Sequence, residues 1–246
     1  LGRAPGTDFL TARALRRDVK VGGQDFPELL AELLGYLAPA SPAIAPGSPV
    51  PSPVATPALS TAAPGGIPGP AVRAIPGEGM NIPIWLLGSS DFSARLAAQL
   101  GLPFAFASHF APENTLPALE LYRREFRPSA ALAQPYVMVG VNVIIADDDA
   151  TARRLATSQQ QQFLNLVRGR PGRLQPPVDE LDWSEAERAA FEKQFSHTFA
   201  GSPETVRARL QAFLDETQAD EMIINTVVYD HEARMRSVER TAALFR

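Results

Sequence analysis

A parallel α/β sheet whose strands each feed a helix is the fold class this sequence predicts, and three observations carry it. After Pro83, short apolar runs alternate with amphipathic helical stretches. The longest run, Val137 to Ile145, is apolar almost without interruption, as a parallel strand covered on both faces must be. The first run closes on Gly88, Ser89 and Ser90, the punctuation expected where a strand hands over to a helix. Four strands, each followed by a helix, imply right-handed crossovers within one sheet.

In chain order, Leu1 to Gly6 read as a loop following a strand that the sequence does not contain. A helical pattern runs from Thr7 to Arg17, and a second from Pro27, a good first-turn residue, to Leu37. Between Pro39 and Pro83 lie twelve of the 23 prolines, with almost no charge, so neither a helix nor a central strand persists there. This segment is expected to be a loop or linker inserted within one domain spanning 1–246, its middle from Ser41 to Pro70 extended, mobile and dispensable for folding.

Beyond it the first strand is Ile84 to Leu87, followed by a helix from Asp91 to Leu100 with Phe92, Leu96 and Leu100 on one side; Gly101 ends it. Phe104 to Ala107 is the second strand, leading to a helix near Pro112 to Phe126 with Leu116, Leu119, Tyr122 and Phe126 aligned. After Val137 to Ile145, Asp147, Asp148 and Asp149 suit a helix start. An extra helix from Trp183 to Phe195 opens with a capping box, Ser184 and Glu187. Ser202, Pro203 and Glu204 begin another, striped by Val206, Leu210, Phe213 and Leu214. The fourth strand is Met222 to Val228, and the last helix presents Met235, Val238, Ala242 and Phe245 on one face.

Composition narrows the function. The 246 residues suit one α/β barrel or two small domains, and 45% hydrophobic content is enough for a core. A net charge of −4 offers no field for a polyanion, so nucleic acid is not an expected partner. No run approaches the roughly 18–20 apolar residues that span a bilayer, and no cleavable leader opens the sequence, so a cytoplasmic location is the default. There is no cysteine, and His109, His197 and His231 lack ligand spacing, so no metal is expected.

The chemistry-bearing residues gather at turns. Gly88, Ser89, Ser90 and Ser93 lie at a helix N-terminus, where first-turn N–H groups, the helix dipole and hydroxyls suit an anion; ordinary capping fits the same residues. Arg3 and Arg13 are candidates to grip one phosphate, or are solvated surface arginines, as Arg16 and Arg17 are taken to be. His109 ends a strand, where barrel enzymes place their sites, and is either a base or a packing residue. Asn142 and Asn225 are polar groups in strands that need partners, with a structural account preferred for Asn142. Gly201, Ser202 and Pro203 are read as helix initiation rather than a second anion site. His197 and His231 carry no assigned role.

Three ordered runs, Gly2-Arg3-Ala4-Pro5-Gly6-Thr7-Asp8, Pro83-Ile84-Trp85-Leu86-Leu87-Gly88-Ser89-Ser90 and Gly101-Leu102-Pro103-Phe104-Ala105-Phe106-Ala107, resemble the bacterial luciferase-like, flavin-dependent monooxygenase family, in particular members whose loop reads GRAPGTD. The resemblance implies a (β/α)8 TIM-barrel class fold holding reduced FMN, or in some branches the deazaflavin F420, at the C-terminal ends of the strands. It implies that Arg3 and Arg13 grip the flavin phosphate, that Ser89, Ser90 and Ser93 close the other side with Gly88 allowing close approach, and that His109 lies beside the ring. The implied activity is oxidation of a small organic substrate, such as an aldehyde, by reduced FMN and O2, with a flavin reductase as partner and a homodimer allowed. The alternatives are F420-dependent hydride transfer and a non-catalytic flavin-binding protein. Members of that family begin with further strands and a Glu-His-His stretch absent here, so the barrel is expected to be incomplete, lacking its first strands and its catalytic histidine.

Overall fold

A computed structural model describes residues 1–2, 25–38, 74–80 and 82–246, in two units treated separately. The expected helix Thr7–Arg17, the Pro-rich middle Ser41–Pro70 and the arginines Arg3 and Arg13 lie outside the described residues. In the unit spanning Ala4–Pro83, helix α1 (Phe26–Leu37) starts with proline in its first turn, as read, and buries Leu30. A turn at 74–80 closes on its end, where Gly79 N–H donates to Leu37 C=O at 3.1 Å.

The other unit, Leu1–Arg3 with Ile84–Arg246, is built on five parallel strands: β1 (Leu86–Gly88), β2 (Phe104–Phe106), β3 (Val137–Ile145), β4 (Thr198–Gly201) and β5 (Glu221–Asn225). β1, β2, β3 and β5 are neighbours in chain order, without the order reversal of an open doubly wound sheet. β1 is also extended on its far side, where Gly2 bridges Leu87 in parallel and Leu87 N–H donates to Leu1 C=O at 2.6 Å.

Only four strands are expected from sequence; β4 is the fifth. β2 runs beside Val137–Val139 alone, and β4 takes over the same edge of β3 at Asn142–Ile145, while β5 covers the opposite edge at Met138–Asn142. A nine-residue strand beside a three-residue neighbour leaves backbone groups to be satisfied, and β4 satisfies them. The first strand shifts from Ile84–Leu87 to Leu86–Gly88, and the last from Met222–Val228 to Glu221–Asn225, the stretches over which they pair with β2 and β3.

The helices are α2 (Asp91–Leu100), α3 (Thr115–Glu125), α4 (Asp149–Val167), α5 (Glu185–Gln194), α6 (Pro203–Thr217) and α7 (His231–Ala243). No helix among the described residues is long and apolar enough to cross a membrane. α2 packs closely through Ala94, Ala97 and Ala98, all fully buried. On α3, Leu119 and Tyr122 point inward as expected, whereas Leu116 is exposed and Ala118 and Leu121 fill the face instead. Tyr122 stacks near Phe104, donates its hydroxyl to Leu102 C=O at 2.9 Å and accepts Tyr136 N–H at 3.2 Å, so its buried polar end is satisfied.

The capping box of α5 forms as read, and Arg168 adds two bonds to the Glu187 carboxylate, at 2.7 and 3.0 Å. The Arg168 guanidinium first, then Ser184 N–H, lowers Glu187 from 4.5 to about 2. A depressed carboxyl stabilises the fold above its unfolded pKa and loses that contribution as pH falls through the folded one. Stability is therefore expected to decline between pH 4.5 and about 2, and Glu187→Gln should flatten that limb in denaturant titrations at several pH values. Superimposable acid limbs would refute the coupling.

The apolar stripe of α7 turns outward. Met235, Val238 and Phe245 are 43%, 46% and 57% exposed, and the buried side carries Ser237 and Thr241. Ser237 Oγ accepts Ile145 N–H at 2.9 Å, and Thr241 Oγ1 donates to Ser237 C=O at 2.7 Å. The hydroxyl face wins because the buried end of β3 needs an acceptor there. Ser237→Ala should cost about 1–3 kcal/mol by stranding that N–H. Val238→Ser should stay within about 0.5 kcal/mol. Chemical denaturation giving the reverse order would overturn this assignment.

Candidate functional site

The C-terminal ends of β2 and β5 meet the middle of β3 around one group of polar residues. Past β2 the chain turns at Ser108 and His109, held by two bonds to one acceptor: Gly140 C=O takes His109 N–H at 2.8 Å and Ser108 Oγ–H at 2.7 Å. The His109 ring packs on β3 at Gly140, where a Cβ would fall on the imidazole; glycine is what makes room for it. Burial lowers the His109 pKa, with the Gly140 backbone opposing it more weakly, so the ring is neutral at pH 7. Its Nδ1 is buried without a hydrogen-bond partner among the described residues.

Asn142 and Asn225 sit in register across β3 and β5. Asn225 Nδ2 donates to Asn142 Oδ1 at 2.9 Å, and Asn142 Nδ2 donates to Thr198 Oγ1 at 3.2 Å. Asn142 is thus internally satisfied, in keeping with a structural account. His109, Asn142 and Asn225 line a cavity of about 250 Å³ together with Gln159, Phe163 and Phe195. Gln159 is buried, and its Oε1 has no partner among the described residues. Two orphaned polar atoms around one cavity are costly, at about 1–3 kcal/mol each, and such groups call for an explanation.

A hollow of about 420 Å³ shares Phe110 and Phe163 with this cavity. A larger one of about 500 Å³, beside Arg153 and Arg209, holds none of the expected site residues.

Gln159 is not a candidate in the sequence, where it stands in a run of four glutamines. The available signal was its place in α4, next to Ser158 and one turn beyond Ala156, on the side that is buried.

At the end of β1, Ser90 is the N-cap of α2 in extended conformation, yet its side chain makes no capping bond. The starts of α4, α5, α6 and α7 differ: Asp148, Ser184, Ser202 and Asp230 all cap with their side chains. Ser89, Ser90 and Ser93 therefore share this turn with Ser90 Oγ unspent on its helix. At Gly88 a Cβ would lie 2.5 Å from Ser93 Cβ and 2.6 Å from its Oγ, so glycine lets α2 pack on β1. Gly2, bridged to Leu87, sets the residue before Arg3 alongside this turn.

Gly201 and Ser202 form an ordinary helix start. Ser202 Oγ caps Thr205 N–H, and Asp149 Oδ1 takes Ser202 N–H at 2.7 Å, so the protein's own carboxylate fills the position an anion would occupy. That bond, ahead of the one from Thr205, holds Asp149 below the usual carboxylate range. His231 contacts Arg234 on the exposed start of α7. His197, unassigned in the sequence, lies against Ser108 in the turn that carries His109.

Residues 59–221 match the family model described as luciferase-like monooxygenase. The chain is 51% identical over 248 residues to the uncharacterized protein YvbT of Bacillus subtilis (strain 168), covering all of this chain and 66% of that protein. A protein of Escherichia coli (strain K12) named luciferase-like monooxygenase is 44% identical over 241 residues, covering 97% of this chain and 64% of that one. The chain thus spans just under two thirds of the length of these relatives. Among solved structures, apo-MsnO8 superposes with a TM-score of 0.72 at 27% identity, over 99% of this chain and 66% of that one. The parallel sheet described above is of that barrel class, with an incomplete set of strands.

Proposed function

This chain belongs to the luciferase-like monooxygenase family, and on that premise we propose a flavin-dependent monooxygenase that oxidises a small organic substrate with reduced FMN and O2. Its phosphate would be held at the start of α2 by Ser89, Ser90 and Ser93 with Arg3, and its ring system would meet the His109 cavity. The observation that carries this reading is the cavity beside the C-terminal ends of β2 and β5, the end of a barrel where enzymes keep their sites, lined by His109 and Gln159, each of which holds a buried polar atom without a partner among the described residues. When bound, FMN supplies the electrons and the reaction with O2.

The protein's own groups position, exclude and exchange protons. The neutral His109 ring has a nitrogen able to accept a hydrogen bond or proton, which a protonated ring would lack. Gln159 offers a carbonyl oxygen as an acceptor beside it. Phe163 and Phe195 give the cavity an aromatic lining. At α2 the first-turn N–H groups and helix dipole favour a dianion, and Ser90 Oγ is available to it. A flavin reductase is the partner this reading requires.

The test is anaerobic titration with FMN and F420, followed by O2 uptake with photoreduced FMN and a series of long-chain aldehydes. Tight FMN binding with aldehyde-dependent O2 consumption is expected. Preference for F420 would replace the reading with hydride transfer, and FMN binding without substrate-dependent O2 uptake would make the chain a flavin-binding protein.

A further inference from the structure

We infer that His197 is a positioning residue for this site: its Nδ1–H, donated to the C=O of Ser108, fixes the turn that carries His109. The two groups are 3.2 Å apart. Calling the His109 cavity the site rests on the monooxygenase reading; the tether itself does not.

The turn needs such a tether. The β2 ladder ends at Phe106, and Ser108, beyond it, is fully buried. Its hydroxyl and the next N–H both go to Gly140, which leaves the Ser108 carbonyl with His197 as its one partner among the described residues. A buried carbonyl without a donor is a costly group, so this contact decides where the turn rests.

His197 is itself held on two sides. Its ring packs against Phe213 of α6 with centroids 4.6 Å apart, and its own C=O accepts Asn142 N–H at 3.1 Å. One residue thus joins the β2 turn, β3 and α6. The partner also sets the tautomer: a carbonyl only accepts, so a neutral ring facing it must carry its proton on Nδ1.

With three histidines in the sequence, ring ¹⁵N NMR of the flavin-free protein tests this directly. The unaltered protein should show His197 as the Nδ1–H tautomer with a bare Nε2; an Nε2–H tautomer would overturn the inference without any variant. His197→Phe keeps the ring against Phe213 but removes the donor, and should shift the His109 ring signals. His197→Asn restores an N–H at about the position of Nδ1 and should return them towards their original places. His109 signals unmoved in His197→Phe, or displaced equally in His197→Asn, would also overturn it. Because flavin is absent, failure here is distinct from failure of the monooxygenase reading.

Discussion

Gly140→Ala is expected to displace His109 from the cavity and to destabilise the protein by about 1–3 kcal/mol, the usual cost of overpacking a filled interior. The new methyl would fall on the imidazole, and β3 is buried on both faces with partners on both edges, so the strand has nowhere to retreat. The ring must therefore leave. Two readouts follow. For a chain of this size the melting temperature should drop by roughly 2–12 °C. The second readout is titration. Burial depresses the pKa of His109 from 6.5, so at present the unfolded chain takes up this proton before the folded one does, and stability falls as pH drops below 6.5. An expelled ring regains water, its pKa rises, and its share of that pH dependence shrinks; His197, also depressed by burial, keeps its own share. A variant that melts and titrates like the parent would show that the ring does not rest on Gly140.

The second large effect concerns the phosphate. Arg3→Ala should weaken FMN binding by about ten- to a hundred-fold, corresponding to a charge-assisted bond of roughly 1.5–3 kcal/mol, while riboflavin affinity barely changes. The contrast isolates the phosphate, because riboflavin keeps the ring and ribityl chain and lacks the charge. Ser90→Ala should cost less than Arg3→Ala, since the backbone N–H groups of the α2 start stay whatever side chain precedes them. Equal losses of FMN and riboflavin in Arg3→Ala would remove Arg3 from the phosphate and make its effect one of folding.

What the sequence made legible follows from how each element is stabilised. Asp91–Leu100 and Val137–Ile145 are read with the bounds they have, because a 3.6-residue stripe closed by glycine and a continuous apolar run each encode their own ends. β4 is not legible: four residues, Thr198–Gly201, hold no period, and the strand exists only because β3 outlasts β2. The α7 stripe misleads because hydrophobicity was followed where backbone satisfaction decides; Ile145 N–H needs Ser237, so the apolar side faces out. At the site, His109 and Asn225 are visible as polar residues at strand ends, and Asn142 as a polar residue inside an apolar strand. Gln159 and His197 are not, since their importance lies in residues far along the chain: Gln159 shares a cavity with His109, and His197 bonds Ser108.

Flavin in the His109 cavity is tested most directly by FMN titration followed through the His109 ring ¹⁵N signals. These signals are expected to shift with added FMN and to saturate at the concentration where flavin absorbance reports full binding. FMN that binds while the His109 signals stay in place would contradict it.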